Sequence, residues 1–347
     1  MSATYYANAP LPDTNARQGA MTMRPATTAL LTIDSEDRYQ NYEQTRANLT
    51  SPYNLSINKS ESLMPGFMTR LGVSEICFPW TVPNINVKTN RINFAYVVGG
   101  GGVFAGVITL PIGFYTPVGL AAALQGEIRA AVPQANLFTV TYGAGPPVGA
   151  FVGNLPVFSY NTTNTDTVLF APFTYNSAAY PYGPNTKQLF DILGFGLEQL
   201  VNATSGLGTF TYCQAIRYID VVCNQLTNSQ AQKDQTSQTV ARDMLCRLYL
   251  GSGAGDGQST VQPSDPAFCP PGCAPTTIYR NFTLPKQIQW IPNQNIPGYL
   301  QFQIYDDSGD LLDTSLTIGT FGAPPVIPGY RAGEFTDWSM TLLITEN

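Results

Sequence analysis

"GYLQFQIYDDSGDLLDT", residues 298–314, decides the fold. Leu300, Phe302 and Ile304 alternate with Gln301 and Gln303, the period-two pattern of a strand with one buried and one wet face. The strand runs into Asp306, Asp307, Ser308, Gly309 and Asp310 before Leu311 and Leu312 resume an apolar course. Gly309 can take positive φ while Asp and Ser satisfy local amides, so "DDSGD" reads as the tight turn of a hairpin. The rival is a metal site built from Asp306, Asp307, Asp310 and Asp313. Calcium loops place ligands at alternate positions over about a dozen residues and finish with a bidentate Glu. This stretch does neither, and the expectation is a turn without a metal.

The same alternation recurs outward from that point. In "DWSMTLLITE" (337–346) Trp338, Met340, Leu342 and Ile344 line one side, with Ser339, Thr341 and Thr345 opposite. "RINFAYVV" sets Ile92, Phe94 and Tyr96 on one face. "NLSINKS", "RLGVSEICF", "FTVTY", "AIRYIDVVC" and "DMLCRLYL" are further strands, separated by Pro and Gly clusters such as Gly143 to Gly149 and "FGAPPVIPGY" (321–330). Many short strands so punctuated predict an all-β sandwich or barrel. One helix interrupts them, in "FYTPVGLAAALQGEIRAAVP": Thr116 is a good N-cap and Pro117 suits the first helical position. Leu120, Leu124 and Ile128 form its apolar stripe and Pro133 closes it. No period of 20–50 residues repeats, which disfavours propellers and solenoids.

Composition narrows the function classes. The 347 residues are 44% hydrophobic and only 12% charged, against about 25% charged in an ordinary soluble domain. So neutral a surface suits a protein covered by neighbours. With 17 basic and 23 acidic residues, a net charge of −6 and no basic run, direct nucleic-acid binding is not expected. No membrane span is expected, and "MSATYYANAPLPDTNARQGAMTMRPATT" lacks the basic start and apolar stretch of a secretion signal. The sequons at Asn48, Asn54, Asn58, Asn161, Asn202 and Asn281 are then expected to stay bare. Residues 1–26 read as an extended N-terminal arm with an aromatic pair, Tyr5 and Tyr6, or as a frayed end.

Histidine is absent, and with it the usual neutral-pH base and commonest metal ligand. That removes Ser-His-Asp and Cys-His catalysis and most zinc hydrolases. Cys77, Cys213, Cys223 and Cys246 are scattered; "CPPGC" pairs Cys269 with Cys273, two of the four ligands a zinc would need. Free thiols are expected, with a loop disulfide at that pair as the alternative. "GGGGVFA" (99–105) matches G-x-G-x-x-A through Gly100, Gly102 and Ala105, but "GVITLP" follows as a strand where a dinucleotide site needs a helix. It reads as a loop between strands, as does "GSGAGDG" (251–257). "IDSEDRY" (33–39) groups Asp34, Glu36 and Asp37 beside Arg38, expected to pair and solvate one another. No catalytic, cofactor-binding or metal residue emerges, and an enzyme is not expected.

In order, "ALLTIDSEDRYQNY", "FPWTVPNIN", "ITLPIGFYTPVGLAAALQ", "FTVTY", "LFDILGF" (189–195), "YLQFQIYDDSGDLL" and "DWSMTLLITE" resemble the minor capsid, or penton, proteins of virophages and polinton-like viruses. These belong to the jelly-roll lineage of icosahedral double-stranded DNA viruses. The resemblance spans most of 27–347 and lies in the order of the pieces. It implies one jelly-roll domain over 27–347, with an insertion within about 97–215 that carries the helix at about 116–132. It implies a subunit of homopentamers at the fivefold vertices of a capsid, partnered by the major capsid protein and other minor capsid proteins, located in the virion and assembled inside the infected cell. No catalytic residue or cofactor comes with it. The alternatives are a cement protein linking capsomers, its arm threaded beneath neighbours, and a carbohydrate-binding attachment β-sandwich using Tyr and Trp. For the latter only Trp80, Trp290 and Trp338 are on hand, and Trp338 patterns into a core face.

Overall fold

A computed structural model of the chain describes residues 28–38, 51–58, 68–80, 82–133, 135, 138–144, 156–162, 165–195, 203–209, 213–227, 233–234, 242–250, 276–283, 288–289, 296, 298–312 and 337–346. The 1–26 arm, the 251–257 loop, the Cys269–Cys273 pair, Trp290 and Asp313 lie outside these residues.

The chain opens with β1 (Thr28–Asp34), a 3-10 turn (Ser35–Arg38), β2 (Asn54–Asn58) and β3 (Met68–Trp80). Next come β4 (Arg91–Val97), β5 (Val103–Thr109), helix α1 (Pro117–Ala131), β6 (Thr139–Ala144), β7 (Pro156–Asn161) and β8 (Thr167–Ala171). Then follow α2 (Leu189–Ile192), β9 (Ser205–Leu207), β10 (Tyr218–Val222), α3 (Asn224–Thr227), β11 (Lys233–Asp234) and β12 (Arg242–Tyr249). The last are β13 (Thr276–Asn281), β14 (Ile288–Gln289), β15 (Tyr299–Asp306) and β16 (Ser339–Glu346).

Two five-stranded antiparallel sheets carry the fold. One runs β1-β16-β3-β13, with β14 also paired to β3; the other runs β11-β12-β10-β15-β2. Setting aside the two-residue β11 and β14, eight strands remain, four to a sheet. In chain order, first, eighth, third and sixth make one layer; second, seventh, fourth and fifth make the other. That is the interleaving of two Greek keys, so the sandwich is a jelly roll. Its core is the alternation read from sequence: Leu300, Phe302 and Ile304 of one sheet and Trp338, Met340, Leu342 and Ile344 of the other are all buried in one cluster. The Phe302 and Trp338 rings meet edge to face at 5.9 Å, and the indole Nε1 donates to Pro52 O at 2.7 Å.

A second buried cluster draws its residues from between β3 and β10. Around it lie two three-stranded sheets, β5-β4-β8 and β6-β7-β9, and the helix α1. Leu120, Leu124 and Ile128 are buried there, Thr116 Oγ1 accepts from Gly119 N, and Pro117 fills the first turn, as the sequence requires. Ile92, Phe94 and Tyr96 line this core too. Period-two patterning thus identified β4 correctly but could not say that it leaves the sandwich. A further four-residue helix, α2, follows in this region, with Asp191 accepting from Gln188 N at 2.8 Å to fix its first turn. Four residues are too few to leave a 3.6-residue period in the sequence.

Candidate functional site

Each carboxylate of the Asp306 turn already has a partner. β15 ends at Asp306, Gly309 takes φ 89°, and an antiparallel bridge joins Tyr305 to Leu311. Gly309 N donates to Asp306 O at 3.0 Å, closing the turn that the sequence suggested. The Asp306 side chain accepts from Ser308 N at 3.0 Å and Asp310 N at 2.9 Å through Oδ1. Its Oδ2 accepts from Lys88 Nζ at 3.2 Å, and Lys88 also reaches Asp310 Oδ2 at 2.9 Å. The turn is therefore not a purely wet end, because Asp306 is only 3% exposed. Lys88 arrives from the segment that enters the second core, where its carbonyl accepts from Tyr180 OH at 2.8 Å. Two more contacts reach across: Arg217 Nε meets Asp307 Oδ2 at 2.9 Å, and Ser308 Oγ donates to Asn185 O at 3.2 Å. Lys88 and Asn185 thus clamp the β15 turn to residues outside the sandwich.

The electrostatics follow from burial. Desolvation pushes the Asp306 carboxyl above its usual range, and the attraction of Lys88 does not fully offset it. For Lys88 burial acts downward, but Asp306 and Asp310 outweigh it and hold the ammonium above its ordinary value. Lysine occupies the place a cation would take between two of the four aspartates. Among the described residues no group of three or more His, Cys, Asp or Glu is disposed to hold a metal. We expect Asp307→Asn to cost about 1 kcal/mol, since its Arg217 partner is largely exposed and the amide can still accept one bond. Thermal melts of parent and variant, with and without calcium, test this; a calcium-dependent rise in the parent that the variant lacks would reinstate the metal.

The other singled-out residues scatter. Asp34 Oδ1 accepts from its own turn at Glu36 N, 2.9 Å away, and Ser35 Oγ ties β1 to β16 by accepting from Trp338 N at 2.8 Å. Gly100 and Gly101, at φ 127° and 120°, form the turn between β4 and β5 with no helix after it. Trp80 and Trp338 are buried, so neither offers a ring to a sugar. An open trough of about 640 Å³ lies on the β6-β7-β9 sheet, lined mainly by Thr139, Thr141, Ser159, Asn161 and Ser205. Among the described residues no carboxylate, amine or thiol lines it. No helix among the described residues is long and apolar enough to cross a membrane.

The outer face of the β12-β10-β15-β2 layer is largely uncharged among the described residues. Tyr249, Tyr299 and Ser56 are exposed on it, beside half-buried Gln301, Gln303, Tyr305 and Asn54. Gln301 Nε2 donates to Asn54 Oδ1 at 3.0 Å. One half-buried ion pair crosses it: Arg247 grips buried Asp220 through two bonds of 2.6 and 2.8 Å and stacks on Tyr218 at 3.9 Å. Sequence reading missed this pair. Its signal was an Asp at the centre of the apolar run "YIDVV", out of place unless a cation faces it.

The fold and this surface define a jelly-roll protein with a tyrosine-bearing, largely uncharged outer layer and no assembled set of reactive groups among the described residues. Among solved structures, the chain is similar to the mavirus penton protein over 92% of its own length and 99% of that chain, at 10% identity and a TM-score of 0.46. No protein-family profile and no curated protein matches it.

Proposed function

We propose that this chain is a structural, non-enzymatic capsid protein: a penton subunit whose copies form pentamers at the fivefold vertices of an icosahedral double-stranded DNA virus. The observation that carries the reading is the eight-strand jelly roll with a neutral, tyrosine-rich outer layer. Closing a ring needs broad heterologous interfaces, and surfaces low in charge desolvate at little cost. The Asp220–Arg247 pair fits this use, since each group has its counter-charge before any neighbour covers it. The major capsid protein is the expected partner around the ring, in the virion. We also read the segment between Trp80 and Tyr218 as an inserted unit, wider than 97–215, because Ile85 and Ile92 already belong to the second core. Residues 1–26 are proposed as an arm that reaches a neighbouring subunit.

Native mass spectrometry of the purified chain tests the ring. Masses at five subunits, and five-membered rings in electron micrographs, are expected. A monomer at all concentrations that is found only between capsomers would replace the penton with a cement protein.

A further inference from the structure

Among the described residues β5 is an edge strand, paired only with β4 in the order β5-β4-β8. Val98 N donates to Gly102 O and Leu110 N donates to Asn90 O, which fixes the phase of the ladder. Even-numbered residues of β5 bond to β4, so the amides and carbonyls of Val103, Ala105, Val107 and Thr109 point to the free edge. Proteins usually blunt such an edge with lysine, proline or a bulge. The run "VFAGVIT" has none of these residues, and its register with β4 is unbroken. Val103 and Val107 are 65% and 48% exposed on its outer side.

Both sides of this strand match themselves. A second β5 laid antiparallel on the edge, Ala105 opposite Ala105, sets Val103 against Val107 of the partner and Val107 against its Val103. The same register puts Phe104 across from the partner's Gly106, in a non-hydrogen-bonded pair where side chains come closest. Within its own chain Gly106 lies opposite Phe94 of β4, which leaves the side facing the free edge uncovered. It is not among the positive-φ glycines, and a Cβ added there would meet only the Phe94 ring, at an ordinary 3.7 Å. Glycine weakens a strand interior, and an aromatic ring lying over it from the neighbouring strand repairs the loss. Phe94 gives one such ring from β4, and half-buried Phe104 is placed to give a second from the partner's β5.

We propose that the free edge of β5 is a self-recognition site, where two copies of this chain pair their β5 strands antiparallel about a two-fold axis at Ala105. Val103, Ala105 and Val107 each exchange both backbone bonds with the partner strand. Such a contact is isologous and cannot close a ring of five, so it stands independently of the penton reading. It joins two free subunits, or subunits of two rings. One seven-residue edge buries well under the roughly 800 Å² per partner of a standard interface, so the association is weak and concentration-dependent.

Sedimentation velocity on the full chain, across a dilution series, reads the association. The parent is expected to pair as concentration rises, doubling either the monomer or the ring. Gly106→Val fills the space that Phe104 needs while improving strand propensity. It should leave the unfolding midpoint unchanged or raised yet weaken pairing about tenfold or more. Val103→Lys with Val107→Lys, which sets like charges opposite one another, should abolish it. Under mild oxidation Ala105→Cys should give disulfide-linked pairs beyond those of the parent, and Val103→Cys alone should not. A parent that never pairs, a Gly106→Val variant that pairs as the parent does, or equal cross-linking at 105 and 103 would each overturn the proposal.

Discussion

Replacing Lys88 by methionine is expected to cost about 3–5 kcal/mol of stability at neutral pH, because it strands the buried Asp306 carboxylate without its counter-charge. Urea unfolding followed by tryptophan fluorescence measures the loss. Adding Asp306→Asn to Lys88→Met should restore much of it, since an amide can still accept from Ser308 N and Asp310 N. The pH dependence has a definite sign. With Lys88 present, burial already holds the Asp306 carboxyl above its usual range. Without Lys88, the charge that pulls it down is gone and the repulsion of Asp310 remains, so it rises further. A carboxyl raised on folding binds its proton more tightly in the folded state. The Lys88→Met variant should therefore be most stable in acid. Its stability should fall as pH climbs from the ordinary aspartate value through the raised one. A variant equally stable from acid to neutral pH would show that the ion pair contributes nothing.

Leu124→Asp tests the second core. Leu124 is fully buried on the α1 stripe. Removing a leucine of this kind costs about 2–5 kcal/mol by cavity formation alone, and an unpaired carboxylate adds to that. We expect helical circular dichroism to melt early, with the burial of Trp338, which belongs to the sandwich cluster, persisting to higher temperature. Leu124→Met should cost under about 1.5 kcal/mol. An unchanged melt for Leu124→Asp would mean that the stripe is not packed.

The two variants probe parts of the molecule that were unequally legible in the sequence. Leu120, Leu124 and Ile128 announce their burial because a helix repeats its face within a few residues, and Thr116 and Pro117 announce its start. Leu300, Phe302 and Ile304 do the same for a strand. Periodicity states which face is buried but not against what, which is why Ile92 and Phe94 read as sandwich residues and belong to the other core. The Asp306 turn was legible as a turn through Gly309. Its clamp was not, because Lys88 sits 218 positions away in "NVKTN" with no local sign of its partner. Asp220 and Arg247 were hidden likewise: cross-strand register brings them together, and register is a tertiary fact.

The place of β16 has a consequence for how the chain acquires its shape. β16 lies between β1 and β3, and its register joins Thr28 to Thr345. A layer whose central strand follows all its other members in the chain cannot zip up until that strand has emerged, and contacts so remote in sequence form slowly. The residues from Ile85 to Cys213 contact one another over much shorter loops and are free to condense first. A nascent chain halted before β16 should carry that portion already protected from proteases, with β1 and β3 still open as unpaired edges for chaperones to shield.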